Sequence, residues 1–352
     1  MDRINVLITG AGAPGIAGTL YSLKNNYDNR DIKTVGIDIK KEVVGKYLCD
    51  KFYQIPKPDE KNFIPKLMKI CEKEKIDVIL PQVTKELFSL SENKRNFEKI
   101  GSKIAISNYE AIKKANNKYE LIKLCKEINI PYTKFYLADN FKELKKKVFE
   151  FGYPKKKVCI KPPISSGMRG FRILIPKKSK KDFYEEKPAG IYSSVEELQE
   201  FLGEKFPELL ITEYLPGKEY SVDCFRNEEK CIVIPRSRDL IRTGITFNGT
   251  IEKNEKIIEY SNKIAEKLDM KFCFGFQFIL DSRGIPKIIE SNPRIQGTMI
   301  MSTFARANII YSAVKEALGE KIPNFKIKWG LKFMRYWGGI GIDGKKIKKL
   351  EL

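Results

Sequence analysis

Gln277, Glu290 and Asn292 can offer a ligand oxygen atoms in one short stretch of chain. They belong to two apolar runs, residues 273–280 and 286–291, which read as the strands of a hairpin around Asp281-Ser282-Arg283-Gly284. If those four residues make the turn, Leu280 pairs with Ile285, Gln277 with Ile288 and Gly275 with Glu290. Side chains alternate across a strand, so Gln277, Glu290 and Asn292 then share a face. One carboxylate and two amide oxygens make a hard donor set. It suits magnesium, which takes few protein ligands and fills the rest with phosphate and water. The plain alternative is the polar face of an edge hairpin. Against it, Glu290 follows Ile288-Ile289 in a strand expected to be largely buried, where an unpaired carboxylate is costly. Arg294, two residues beyond Asn292, carries a planar fork that fits phosphate or carboxylate.

Lys161 ends the apolar run Val158-Cys159-Ile160, just before Pro162-Pro163. A lysine there either snorkels outward or neutralises an anion. The following Ser165-Ser166-Gly167-Met168-Arg169-Gly170 favours the anion, because hydroxyls and exposed backbone N–H groups can close over phosphates. The loop lacks the Gly-Lys-Ser/Thr ending of a Walker A sequence. Further on, Leu210-Ile211-Thr212-Glu213-Tyr214-Leu215-Pro216-Gly217-Lys218-Glu219 reads as a strand, an open hinge, a Pro-Gly turn and a second carboxylate. Open backbone can meet an adenine edge and a carboxylate can accept ribose hydroxyls. An ordinary hairpin with a charged tip is the alternative for that segment.

In this order the three signals resemble the ATP-grasp superfamily, over about residues 4–337, and in particular its carbamoyl-phosphate-synthetase-like and biotin-carboxylase-like branches. The resemblance implies a Rossmann-like pre-ATP-grasp domain followed by a two-part ATP-grasp fold, so α/β plus α+β. It implies that Lys118 and Lys161 meet the phosphates of ATP, that Ser165, Ser166, Gly167 and Arg169 belong to the lid, and that Glu213, Tyr214 and Leu215 form the adenine hinge. Glu219 takes the ribose place, and Gln277, Glu290 and Asn292 hold two magnesium (or manganese) ions. Gln277 stands where many relatives carry an acid. Arg294, Arg238 and Lys161 are the residues expected to act on the reacting groups, with Arg236, and more weakly Arg242 and Arg306, beside them. The implied reaction joins a small, anionic carboxylate substrate to an amine through an acyl phosphate. A carboxylase or a substrate kinase remains open within the family. Carbamoyl phosphate itself is not expected as a product, since neither a glutaminase nor a biotin-carrier segment is seen.

Near the start, Gly10-Ala11-Gly12-Ala13-Pro14-Gly15 matches G-x-G-x-x-G, with Asp38 after the next strand. That is a dinucleotide-binding fingerprint and supports an NAD(P)-dependent oxidoreductase as a rival reading. It leaves the Lys161, 213–219 and 290–294 series without a purpose. Residues 10–16, Gln82-Val83-Thr84, 236–243 and 296–299 are instead expected to border the acceptor pocket.

These residues need elements to hold them. Strands at 4–9, 34–39, 78–81 and 104–107 alternate with helical patterns at 15–24, 63–75 and 85–93, which indicates a parallel α/β layer. Helical pattern continues through 118–127. Antiparallel strands are then expected at 158–161, 171–175, 209–214, 220–225 and 231–235, with helices at 193–202 and 257–268. A lysine-rich surface insertion occupies 176–190. One last helix is expected over 303–318 and one last strand over 331–337. The expected domains are residues 1–110, 111–205 and 206–352.

The chain's 352 residues, with 42% hydrophobic and 32% charged, describe a globular protein with a sizeable core. Zero histidines exclude a Ser-His-Asp triad and histidine-based zinc chemistry. The 7 cysteines contain no Cys-x-x-Cys pair, and the chain opens directly into a strand without a signal-peptide layout, so the cytoplasm is the expected compartment. No apolar run is long enough for a membrane span. The formal charge of +21 admits a basic nucleic-acid-binding protein as a second rival. Lysine runs spread along the chain, at 145–147, 155–157 and 345–346, fit a solvated surface better. The partners expected are the small-molecule carboxylate and amine, with a homodimer compatible with either.

Overall fold

A computed structural model describes residues 3–165, 167–176, 190–336, 338–343 and 346–349. Ser166, most of the lysine-rich insertion, Trp337 and Lys345 lie outside the described residues. The chain divides into two compact units, the first of Met1–Lys114, Tyr220–Phe276 and Ser291–Leu352, the second of Ala115–Glu219 and Gln277–Glu290.

The first unit begins with the expected parallel layer. β1 (Ile4–Ile8), β2 (Ile32–Asp38), β3 (Lys51–Gln54), β4 (Val78–Leu80) and β5 (Lys103–Ile104) lie in the order β3-β2-β1-β4-β5. Alternation along β1 decides the layering. Ile4, Val6 and Ile8 enter one core with Ile16, Leu20 and Leu23 of the helix Ile16–Lys24. Leu7 enters a second core with Phe63, Leu67 and Ile70 of the helix Phe63–Glu74. A parallel sheet covered on both faces is what a near-continuous apolar strand requires.

β6 (Phe135–Asn140), β7 (Val158–Lys161), β8 (Arg172–Leu174), β9 (Tyr192–Ser193) and β10 (Lys205–Glu213) form the sheet of the second unit, ordered β6-β10-β7-β8-β9. β10 is antiparallel to both β6 and β7, and β7 to β8, as expected, whereas β8 and β9 run parallel. The helix Val195–Leu202 starts with a reciprocal cap: Ser194 Oγ accepts from Glu197 N, and Glu197 Oε2 accepts from Ser194 N. A helix at Phe141–Glu150 had not been anticipated. Phe141, Leu144 and Val148 bury one face of it.

Later strands are β11 (Glu219–Arg226), β12 (Cys231–Ser237), β13 (Leu240–Arg242), β14 (Ile245–Thr250), β15 (Phe272–Leu280), β16 (Pro286–Asn292), β17 (Lys332–Met334), β18 (Ile340–Asp343) and β19 (Lys346–Lys349). They make a sheet ordered β12-β11-β15-β16, a three-stranded sheet β13-β14-β17 and the ribbon β18-β19. The single helix expected over 303–318 is two, Ile300–Phe304 and Ile309–Ala317. Arg306 takes φ 68° between them. Asn308 caps the second helix through Tyr311 N and donates to Ser22 O at 2.6 Å. No helix of the described residues is long and apolar enough to cross a membrane.

Candidate active site

Lys118 is placed by a helix start. Asn117 accepts from Tyr119 N and Glu120 N, and Lys118 N donates to Pro163 O at 2.9 Å. Its ammonium donates to Ser165 O at 2.9 Å and to Ser165 Oγ at 3.2 Å. Lys161, at the end of β7, donates to Ile289 O at 3.1 Å. Both lysines are buried, at 6% and 9% exposure. Burial lowers the Lys118 pKa against the attraction of Glu290. Burial also brings Lys161 down to about 8, helped by the neighbouring Lys118 charge and opposed by Glu290. Lys118, Lys161, Ser165 and Glu290 thus form one group, and it carries two cations for one carboxylate. Snorkelling is excluded for Lys161.

Around this group, residues 167–170 turn sharply, with Gly167, Met168 and Gly170 at φ 63°, 62° and 74°. A Cβ on Gly170 would stand 2.7 Å from Pro162 Cδ, so this end of the loop needs glycine. Arg169 is exposed there. Glu213 has its carboxylate engaged, accepting from Lys134 N at 3.0 Å and from Lys287 Nζ at 2.7 Å. Tyr214 carries the Lys157 ammonium 5.3 Å from its ring centre, and Leu215 is buried. The Pro216-Gly217 turn is closed by Gly217 N to Leu280 O and Leu280 N to Lys218 O, both 3.0 Å. Glu219 then begins β11.

The hairpin turn differs from the expected four residues. Asp281 N donates to Ile285 O and Gly284 N to Asp281 O, both at 2.9 Å, with Gly284 at φ 75°. Asp281 Oδ1 also accepts from Arg283 N and Ile285 N. This carboxylate draws Ile285 in by one place, so pairing beside the turn is one residue out of step with the expected register. The common face of Gln277, Glu290 and Asn292 therefore does not follow from the turn. All three are half-buried, while Phe276, Phe278 and Ser291 beside them are buried.

Asn292, Arg294 and Arg238 lie in the first unit. Arg294 Nε donates to Thr84 Oγ1 at 2.9 Å, Nη1 to Ile295 O at 2.9 Å and Nη2 to Asn292 Oδ1 at 3.3 Å. Its field reaches the buried Glu86, whose pKa burial lifts to about 7 against the Thr9 hydroxyl, the Val83 and Gln82 N–H groups and Arg294 itself. Arg238 Nη2 donates to Gly244 O at 2.7 Å. Arg236 is buried and engaged with Asp223, Thr246 and Gln296, so it is not free for a phosphate. Arg242 lies over the Phe247 ring, its guanidinium carbon 4.9 Å from the centre.

Glycines of the 10–15 loop serve packing. A Cβ on Gly15 would stand 2.9 Å from Gly297 Cα, and Gly12 N donates to Asp38 Oδ2 at 2.8 Å. Asp38 Oδ1 accepts from Lys40 N. The carboxylate that a dinucleotide needs for its ribose is thus tied to this loop, and nothing here supports the oxidoreductase reading. Two residues went unnoticed in the sequence. Asp223 was an acid inside the apolar run Val222 to Phe225, a mark of a buried ion pair. Arg335 stood inside Phe333-Met334-Arg335-Tyr336. It donates to Gly297 O at 3.2 Å and Thr298 Oγ1 at 3.4 Å, and burial with the nearby Arg236 charge lowers its pKa.

The chain is similar to known proteins in sequence and in fold. Residues 205–333 match the family described as ATP-grasp in the biosynthetic pathway with Ter operon, and residues 6–105 match the PylC-like N-terminal domain. The carbamoyl phosphate synthase large chain of Clostridium acetobutylicum is 25% identical over 302 residues, which are 83% of this chain and 25% of that one. The arginine-specific large chain of Geobacillus stearothermophilus is 26% identical over 240 residues, 65% of this chain and 21% of that one. The chain thus spans about a quarter of the length of these curated relatives. In fold it is similar to N5-carboxyaminoimidazole synthetase from Staphylococcus aureus complexed with ADP, at TM-score 0.65 and 18% identity over 92% of this chain and 80% of that one. It is similar also to a biotin carboxylase–ATP complex from Campylobacter jejuni, at TM-score 0.66 and 20% identity over 93% and 73%. Two domain matches in the expected order thus make residues 205–333 an ATP-grasp domain behind a PylC-like N-terminal domain, and the chain is similar in sequence to carbamoyl phosphate synthase large chains and in fold to biotin carboxylase.

Proposed function

We propose that the protein is an ATP-dependent carboxylate–amine ligase that works through an acyl phosphate on a small anionic metabolite. The observation that carries this is the buried Lys118–Lys161 pair, two cations with Glu290 in their field. Such a pair is costly unless an anion completes it, and a polyphosphate does.

A carboxylate is already ionised at neutral pH, so its attack needs no base. Its oxygen bonds to the γ-phosphorus as the bond from phosphorus to the β,γ-bridging oxygen breaks, and ADP leaves. An amine nitrogen then bonds to the acyl carbon, the carbon–oxygen bond to phosphate breaks, and the amine's surplus proton departs with phosphate or solvent. Positioning and charge stabilisation do most of this work, which suits a chain without histidine. Lys118, Lys161 and Ser165 are assigned to the phosphates, with Gly167 and Arg169 of the loop beside them. Backbone of Glu213, Tyr214 and Leu215 is assigned to adenine and Glu219 to ribose. Gln277, Glu290 and Asn292 are assigned to magnesium, which when bound would offset phosphate charge. One carboxylate and two amides fit that ion's preference for oxygen and for retained water. Arg294 and Arg238 are assigned to the acceptor side. The functional domain division is 1–110, 111–205 and 206–352: acceptor-side layer, lid, and metal-bearing part. Seven free cysteines accord with a reducing, cytoplasmic setting. A homodimer accords with the dimeric biotin carboxylase domain of the Hydrogenobacter thermophilus 2-oxoglutarate carboxylase, and sedimentation would read it directly.

ADP release screened over pairs of carboxylates and amines, including amino acids, peptides and sugar acids, tests the reading. One pair should give ADP, phosphate and a new amide in equal amounts. ADP formed with a carboxylate alone, and no amide with any amine, would replace the ligase with a kinase.

A further inference from the structure

A pocket of about 580 Å³ opens in the first unit, a volume within the range of about 300–1,000 Å³ usual for small-molecule sites. No residue assigned to ATP, magnesium or the acceptor lines it. Its charged lining is Lys230, Lys315, Lys321 and Asp28, so three ammonium groups meet one carboxylate. The fold accounts for Lys315. It stands in the last turn of the helix Ile309–Ala317, where a cation suits the helix dipole. Its ammonium donates to Asp28 Oδ2 at 2.6 Å and lies 3.8 Å from Glu320 Oε2. Tyr311 donates its hydroxyl to the same Asp28 oxygen at 3.1 Å.

Lys230 and Lys321 have no such account. Among the described residues neither has an ion pair. Lys230 Nζ donates to Ile322 O at 2.8 Å and to Asn324 Oδ1 at 3.2 Å. Both acceptors are neutral and an ammonium has three donors, so one donor and the whole charge are left over. Lys230 is also half-buried, so these bonds fix its place rather than leave it to sweep through solvent. Lys321 is exposed beside it. Because Asn324 gives its oxygen to Lys230, its amide nitrogen is turned the other way and supplies a further donor. Asp28 Oδ1, in contrast, accepts no hydrogen bond from the described residues. The apolar wall is rigid. Tyr27 packs edge-on to Tyr311 at 4.9 Å and to Phe325 at 5.5 Å, and its hydroxyl lies 3.2 Å from Ser312 Oγ. Ile322 is buried in the same lining.

We propose that this pocket is a second ligand site of the protein and takes a phosphate monoester with a hydroxylated body. At neutral pH such a phosphate carries close to two negative charges, which match the ammonium groups of Lys230 and Lys321. Lysine suits it as a point charge. The Asn324 amide nitrogen adds a neutral donor to the phosphate oxygens. A hydroxyl of the body donates to Asp28 Oδ1, and its carbon rests against Tyr27 and Ile322. The site goes beyond the ligase reading and does not depend on it, since the two share no residue.

Glycerol 3-phosphate serves as the probe, with inorganic phosphate and glycerol beside it. The readout is the carbon-13 resonance of the Ile322 δ-methyl group, identified by its loss in Ile322→Val. In the native full chain, glycerol 3-phosphate should displace this resonance saturably. Inorganic phosphate and glycerol should each need at least about tenfold more, the order of one charge-assisted hydrogen bond. Lys321→Glu reverses an exposed charge that has no ion pair among the described residues, so its thermal transition should stay near native. It should weaken the probe about tenfold or more. Lys230→Gln keeps a donor for Ile322 O while removing the charge, and should weaken the probe similarly. Lys161→Ala should leave the response native, which keeps this site apart from the lysines assigned to ATP. No saturable displacement in the native protein, or a native response in both folded Lys321→Glu and Lys230→Gln, overturns the proposal. So does inorganic phosphate that binds as tightly as the probe, or a response lost in Lys161→Ala.

Discussion

Burial, aided by the Lys118 charge, holds the Lys161 ammonium near pKa 8 against Glu290. An arriving polyphosphate favours the charged form, so ATP binding near pH 8 should take up a proton. Calorimetry in buffers of different ionisation enthalpy reads that uptake directly. Affinity for ATP should fall as pH rises through about 8, and Lys161→Ala should weaken it roughly tenfold or more at pH 7. Unchanged affinity would return Lys161 to a structural role. The same shift has a stability consequence. The folded value, about 8, lies below the ordinary 10.5, so between them the unfolded chain holds more protons. Stability without nucleotide should therefore rise with pH across that window through this group. Glu290→Gln keeps shape but removes the carboxylate. Magnesium-dependent ADP formation should drop at least about a hundredfold, judged against loss of a metal-holding group, while thermal unfolding stays close to native. The grouping of these residues was readable in part: Lys161, Ser165 and Glu290 were named from type and spacing and Lys118 from resemblance. For Lys161, which alone could as well snorkel, it was the Ser/Gly loop after it that pointed to an anion. Asp223 was missed although its partner Arg236 stands 13 residues on, in the next strand, because burial of the pair is set by the packing around it. Arg335 was missed because its partners, Gly297 and Thr298, are 38 and 37 residues away.

Elements carry these groups through caps and close approaches. Asn117 caps the helix that starts with Lys118, and that residue's own N–H is bound to Pro163 O. Asn117→Ala should cost about 1 kcal/mol of stability and should also weaken ATP binding, since it loosens the start from which Lys118 reaches Ser165. Calorimetry of both quantities checks the link; a stability loss with native ATP affinity would separate cap from site. The parallel layer was legible, since β1, β2 and β4 are apolar runs divided by helical period. The helix Phe141–Glu150 was not, although Phe141, Leu144 and Val148 keep helical spacing, because consecutive lysines obscured the stripe. The break between Phe304 and Ile309 escaped for another reason. Its apolar spacing runs on, and what stops the helix is Asn308 capping the next one while bonding Ser22. In the hairpin, Asp281 changed the register by capturing two N–H groups, a choice that strand propensity does not contain.

Over the whole chain, a formal charge of +21 favours the approach of an anionic nucleotide. The rate of ATP association should fall several-fold as salt rises from about 0.01 to 0.3 M, where screening shortens to a few ångströms. Stopped-flow measurement would show it, and a flat salt response would mean that the lysines are too dispersed to steer. Composition had already excluded histidine chemistry, and the order lysine, loop, hinge, carboxylate, amide along the chain pointed to ATP-grasp before any coordinate did. Such order is a linear property, preserved whatever the packing. The burial that depresses Lys161 and the Arg236 fork that turns Gln296 depend on groups 128 and 60 residues apart meeting at about 3 Å. Burial and hydrogen-bond geometry are set by neighbours in space, and a sequence read in order names neighbours only along the chain.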